Sequence, residues 1–180
     1  MRYREIYQQA KQIDRLIDKR IDKEKRFPTR EKLGELVLEN FSVFYVVGWG
    51  RHKVIFGNTR SDQRVVLKIG PHRNIRSDHR AYKAVPEQKR HQFFAKIYWH
   101  TRYCMLQEYG LPVQPTTDQI HGFRYALAGY GIVDIKATNL RMINGELRLV
   151  DANVTRLPMP IIQQRIADFK RAAFKKFGLR

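Results

Sequence analysis

The chain has 180 residues, 43% apolar and 29% charged, enough for a compact core; a single cysteine, Cys104, excludes a disulfide framework. Thirty-five Lys and Arg against 17 Asp and Glu leave a formal charge of +18, which attracts polyanions: nucleic acid, a ribosome, anionic lipid or phosphorylated ligands. No apolar run reaches the length of a membrane span and the opening MRYREIY is charged, so a cytoplasmic chain without signal peptide or transmembrane segment is expected.

Residues 3–21 set Tyr3, Ile6, Tyr7, Ala10, Ile13, Ile17 and Ile21 at helical spacing, which predicts an amphipathic helix. Pro28-Thr29 opens a second, with Thr29 as N-cap and Leu33, Leu36 and Val37 facing inward. From Phe41 the pattern turns to β-branched and aromatic runs: FSVFYVV, VIF, RVVLKI, FAKIYW and YCMLQEY predict five strands. One helix, about 77–85, interrupts them and stops at Pro86. Another follows Pro115, with Ile120, Phe123, Leu127 and Tyr130 on one face. Asn144-Gly145 predicts a two-residue hairpin loop, in which 143 faces 146 and 139 faces 150. A last basic helix over about 160–177 puts Ile162, Ile166, Phe169, Ala173 and Phe177 on one side, for packing against the preceding elements rather than a membrane. Three segments are expected: helices over 1–40, a sheet-bearing part over 41–110 and a mostly helical part over 111–180.

Several residues carry chemistry. Gly48-Trp49-Gly50 joins two strands, and glycines there let backbone N–H groups approach a phosphate. Lys68 lies within the apolar run VVLKI, where an ammonium group needs an anionic partner. By the hairpin register Asn139 and Asp151 emerge at the same end, just after Asp134 and Lys136. Oxygens of Asn and Asp suit Mg²⁺, and the remaining Asp and Lys suit a hydroxyl nucleophile and a transferring phosphoryl group. A tight turn, an edge lysine and a polar loop would use the same residues, and the residues alone leave this open. The region 73–90, with Arg73, Arg76, Arg80, Lys83, Lys89 and Arg90, reads by default as a solvated helix face, with polyanion binding as the alternative. Cys104 reads as a core thiol.

From Phe41 to Val154 this series resembles the protein-kinase-like superfamily. Gly48-Trp49-Gly50 is similar to the glycine-rich loop, with Lys53 in place of the third glycine. VVLK ending at Lys68 resembles the VAIK strand, and Glu108-Tyr109-Gly110 the hinge that holds adenine. Asp134, Lys136 and Asn139 match DxKxxN, and Asp151 matches the aspartate of DFG, although Ala152 and Asn153 follow it. Asp78 stands nearest to the glutamate expected on the inserted helix, and Ile132 and Val133 replace the His and Arg of HRD.

The resemblance implies an α+β, two-lobed protein-kinase-like fold: a five-stranded N-lobe sheet and a truncated helical C-lobe, with N-terminal helices added. It implies ATP and Mg²⁺ (or Mn²⁺) as cofactors. Gly48, Gly50, Lys53, Lys68, Asp78, Glu108 and Gly110 would bind the nucleotide, Asn139 and Asp151 the metal, and Asp134, Lys136 and Lys68 would act in catalysis. The expected activity is Ser/Thr protein kinase, with a protein or small-molecule hydroxyl as acceptor. The alternatives are a sugar kinase of the lipopolysaccharide-core type and a kinase-like pseudoenzyme that binds a polyanion. Only 29 residues follow Asp151, too few for a full activation segment and peptide platform.

Overall fold

The computed structural model describes residues 2–60, 64–132 and 135–152; Asp134, Asn153 and the last expected helix lie outside the described residues. The fold is α+β, with five helices, a five-stranded antiparallel sheet and a small three-stranded sheet among the described residues. The chain divides into two compact units: residues 1–79 with 95–110, and residues 80–94 with the described residues from 111 onward.

The first unit opens with two helices, α1 (Arg2–Glu24) and α2 (Arg30–Asn40), where Thr29 caps α2 by accepting from the Lys32 N–H. The apolar stripe of α1 (Ile6, Ala10, Ile13 and Ile17) is buried together with Leu33 and Val37 of α2. Both helices share their core with one face of the large sheet, through Val54, Phe56, Val65, Leu67, Ile69, Cys104 and Leu106. A truncation such as Ile13→Ala there costs about 2–5 kcal/mol. Two carboxylates of α1 also hold the turn that leads into β5. Asp14 accepts from the Thr101 hydroxyl and from the Arg102 and Tyr103 N–H groups, at 3.0–3.1 Å. Asp18 accepts from Arg102 and from the Tyr103 hydroxyl. The helices 1–40 are thus integral to this unit.

The large sheet comprises β1 (Phe44–Trp49), β2 (Val54–Asn58), β3 (Val65–Ile69), β4 (Ile97–His100) and β5 (Cys104–Glu108), in the order β1-β2-β3-β5-β4. Strand β1 begins three residues later than the β-branched run suggests, because Phe41 is the C-cap of α2 and its N–H donates to the Val37 carbonyl. At its far end the Trp49 ring lies over α2; a Cβ on Gly34 would come within 2.9 Å of it. Helix α3 (His72–Ala84) starts five residues earlier than expected, directly after Gly70-Pro71. A second inserted helix, α4 (Glu87–Phe93), was not foreseen: Pro86 is its N-cap, not only the stop of α3.

In the second unit, β6 (Leu111–Pro112), β7 (Leu140–Ile143) and β8 (Glu146–Leu149) form the small sheet, so the expected hairpin gains a third strand. The hairpin register is the one the Asn-Gly turn predicts: Ile143 faces Glu146 and Leu140 faces Leu149. Asn144 and Gly145 both have positive φ, 51° and 80°, as a type I′ turn requires. Helix α5 (Thr117–Ala128) starts at a capping box between Thr116 and Gln119. Its Leu127 packs with Ala81, Val85, Phe94, Ile132, Ile135, Leu140 and Leu149 in a second core.

Candidate functional site

The expected site residues fall into two sets, one in each unit. In the first unit, the turn between β1 and β2 closes through the Gly50 N–H, which donates to the Lys53 carbonyl at 2.8 Å. Arg30 at the start of α2 reaches the Gly50 carbonyl at 2.8 Å. Gly48 sits where the β1–β2 register shifts, and a Cβ there would meet nothing. The chain's own packing therefore does not demand glycine at 48. It does at Gly70, where a Cβ would come within 2.7 Å of the His52 carbonyl and of Lys53 Cγ.

The Lys53 side chain runs inward rather than out along the turn. Its Nζ donates to Asp78 Oδ2 of α3 at 2.6 Å, with side chains only 8% and 4% exposed. Burial strengthens the attraction and makes loss of either partner costly. Lys53 thus neutralises a buried carboxylate, and Asp78 ties α3 to the glycine turn. Spacing did not reveal this pairing. One signal was available: Asp78 is the single acid between Gln63 and Pro86, so once buried it needed a cation.

Lys68 is 4% exposed and lies abreast of Ile55 on β2 and Met105 on β5. Val66 and Gln107 face each other on the same side of the sheet, opposite the side on which Val65, Leu67 and Ile69 pack. Gln107 is 2% exposed, and its Oε1 has no hydrogen-bond partner among the described residues. A buried amide oxygen left in this state costs about 1–3 kcal/mol, and sequence reading did not single it out. Glu108 and Tyr109 are pinned through their backbones: their N–H groups donate to the Lys96 and Arg64 carbonyls at 2.8 and 2.6 Å. Gly110 is buried and ends the unit.

In the second unit a 3₁₀ turn, Ala137–Asn139, links the loop to β7, with the Asn139 N–H donating to the Lys136 carbonyl at 3.0 Å. The Val150 N–H donates to the Asn139 carbonyl at 2.8 Å, extending the hairpin pairing by one step. Asn139 and Asp151 consequently sit at the same end of the hairpin, both half-buried, and Lys136 is exposed just before them. Asp134 lies outside the described residues. Arg124 of α5 clamps the backbone at Ile135: its Nε and Nη2 donate to the Ile135 carbonyl at 3.1 and 2.8 Å. This clamp is not legible from spacing, because an arginine on a helix face normally reads as solvated. The carboxamide and carboxylate oxygens of Asn139 and Asp151 fit Mg²⁺, which completes its shell with water and phosphate oxygens.

No protein-family model matches the chain, and no curated protein matches it.

Proposed function

We propose that this protein is an ATP- and Mg²⁺-dependent phosphotransferase of protein-kinase type that acts on a hydroxyl, with Ser/Thr of a protein as the acceptor. The fold would be a two-lobed kinase-like one with a reduced C-terminal lobe. The observation that carries the reading is the β7–β8 register, which brings Asn139 and Asp151 to one end of a hairpin, next to Lys136. That is the placement a metal-and-phosphate site of this type needs. The buried Lys68, beside Val66 and Met105, supports it from the first unit.

In this reading Lys68 neutralises the nonreacting phosphates, and the base lies on the same side of the sheet, by Val66 and Met105, next to Glu108–Gly110. Asp134 orients the acceptor hydroxyl and takes its proton as the acceptor oxygen bonds to the terminal phosphorus, while the bond from that phosphorus to the bridging oxygen breaks and ADP leaves. Lys136 neutralises the transferring group. Asn139 and Asp151 would hold Mg²⁺, which when bound would supply charge neutralisation to the phosphates. Gly50, whose N–H is committed to the turn, shapes the loop and donates nothing to phosphate.

Mg-ATP at about 100 times its dissociation constant should stabilise the native state by about 2.7 kcal/mol, roughly 5–10 °C in melting temperature for a chain of this size. Asp134→Ala should abolish transfer from radiolabelled ATP and keep most of that thermal shift. Asp151→Ala should lose both. No thermal shift at millimolar Mg-ATP, or wild-type transfer in both variants, overturns the proposal.

A further inference from the structure

Helix α3 has two unlike faces. Ile75, Asp78, Ala81 and Val85 just beyond its end are buried. Arg73, Arg76, Arg80 and Lys83 are exposed, and spacings of three, four and three residues align them along one continuous helix. None of the four side chains makes a hydrogen bond or ion pair among the described residues. Asp78, the helix's single acid, is turned inward onto Lys53. Among the described residues, the outer face thus bears positive charge with no carboxylate paired to it. Helix α1 differs: its cations alternate with Asp14, Asp18, Asp22 and Glu24, and Arg20 is paired with Glu24.

We infer that the exposed face of α3 is a docking surface for the sugar-phosphate backbone of a nucleic acid. Ten residues separate Arg73 from Lys83, about 15 Å along the axis. A duplex carries on the order of nine phosphate charges over that length, so the stripe matches an extended polyanion better than one compact phosphate group. Three of the four cations are arginines, whose planar fork suits phosphate oxygens. An anionic membrane is the poorer match, because a helix that lies in a bilayer surface inserts an apolar face. The apolar face of α3 is buried in the protein, and none of the exposed large hydrophobic residues lies on this helix. The surface stands apart from the proposed phosphotransfer, and its test does not require turnover.

The test measures fluorescence anisotropy of a labelled 20-nucleotide single-stranded RNA and a 20-base-pair DNA duplex between 50 and 200 mM NaCl. The stripe variant Arg73→Gln/Arg76→Gln/Arg80→Gln/Lys83→Gln is compared with a control, Arg15→Gln/Lys19→Gln/Lys23→Gln/Arg26→Gln, which removes the same charge from exposed positions on and just after α1. With four phosphate contacts, the logarithmic salt slope on duplex should be shallower by about 3 to 4 in the stripe variant, and affinity at 100 mM should fall at least ~10-fold. The control should lose less than about threefold, since net charge acts only at long range. The double variant Arg76→Gln/Arg80→Gln should lose about half of the slope, as two of four contacts go. Far-ultraviolet circular dichroism of every variant should match the wild type. Equal losses in stripe and control variants would reduce the effect to net charge and overturn the surface. So would binding to phosphatidylserine vesicles with neither nucleic acid bound at 50 mM salt.

Discussion

Lys53 and Asp78 show how a single contact reorganises the meaning of a motif. The position that resembles a loop glycine holds a lysine, and that lysine turns inward to a carboxylate 25 residues away. Removing the ammonium deprives the buried Asp78 carboxylate of its ion pair at 2.6 Å, so Lys53→Met should destabilise the protein by about 3–5 kcal/mol. Lys53→Met/Asp78→Leu removes both charges and should recover most of that loss. Urea denaturation of the two variants checks this, and a Lys53→Met protein as stable as the wild type would show that the ion pair contributes nothing. Tyr103 offers a second test. Burial, together with its hydroxyl donating to Asp18, pushes the phenol from 10.0 up to about 12. The folded state therefore keeps this proton at pH values where the unfolded chain releases it. Its stabilisation is complete below pH 10 and declines between pH 10 and 12. Tyr103→Phe should flatten that part of the stability–pH curve relative to wild type, measured as urea midpoints over the same range.

At the scale of elements, the hairpin sets Asn139 and Asp151 at one end by means of a turn at the other. Gly145 has φ +80°, so Gly145→Ala should cost about 1–2 kcal/mol, while Asn144→Gly should be tolerated. Amide hydrogen exchange across β7 and β8 measures both; unchanged protection in Gly145→Ala would contradict the turn's role. This hairpin was legible to the residue because its information is local: two turn residues dictate the pairing of eight others. The first two helices were legible for a similar reason, since their apolar spacing repeats over several turns. Helix α4 was not. Its sequence EQKRHQF has no apolar stripe, and it is secured by Pro86 at its start and by Arg90, whose Nε donates to the Tyr82 and Val85 carbonyls. The early start of α3 was hidden likewise, because His72–Arg76 contains one apolar residue, Ile75. As for the candidate site, the residue types and their order were visible in the sequence. The partners of Lys53, Gly50 and Ile135 were not, since each lies on another element, 11 to 25 residues away, and no spacing rule connects them.

Across the whole molecule, 35 cations against 17 anions make self-repulsion a standing cost of the native state. Screening should relieve it: raising NaCl from 20 to 300 mM should raise the melting temperature by about 2–5 °C. A fall over that range would mean that the ion pairs of α1 and the Lys53–Asp78 bridge outweigh the repulsion. Two cores, one around α1, α2 and the large sheet and one around α5 and the hairpin, share the work of holding the chain. Both tryptophans lie in the first unit: Trp49 rests over Gly34, and Trp99 meets Tyr7 edge-on with ring centroids 5.1 Å apart. Indole emission excited at the red edge is therefore a spectroscopic window on residues 1–79 and 95–110 alone. A variant whose hairpin has melted can present a native fluorescence spectrum. A tryptophan placed at Tyr125, exposed on α5, would give the second unit a reporter of its own.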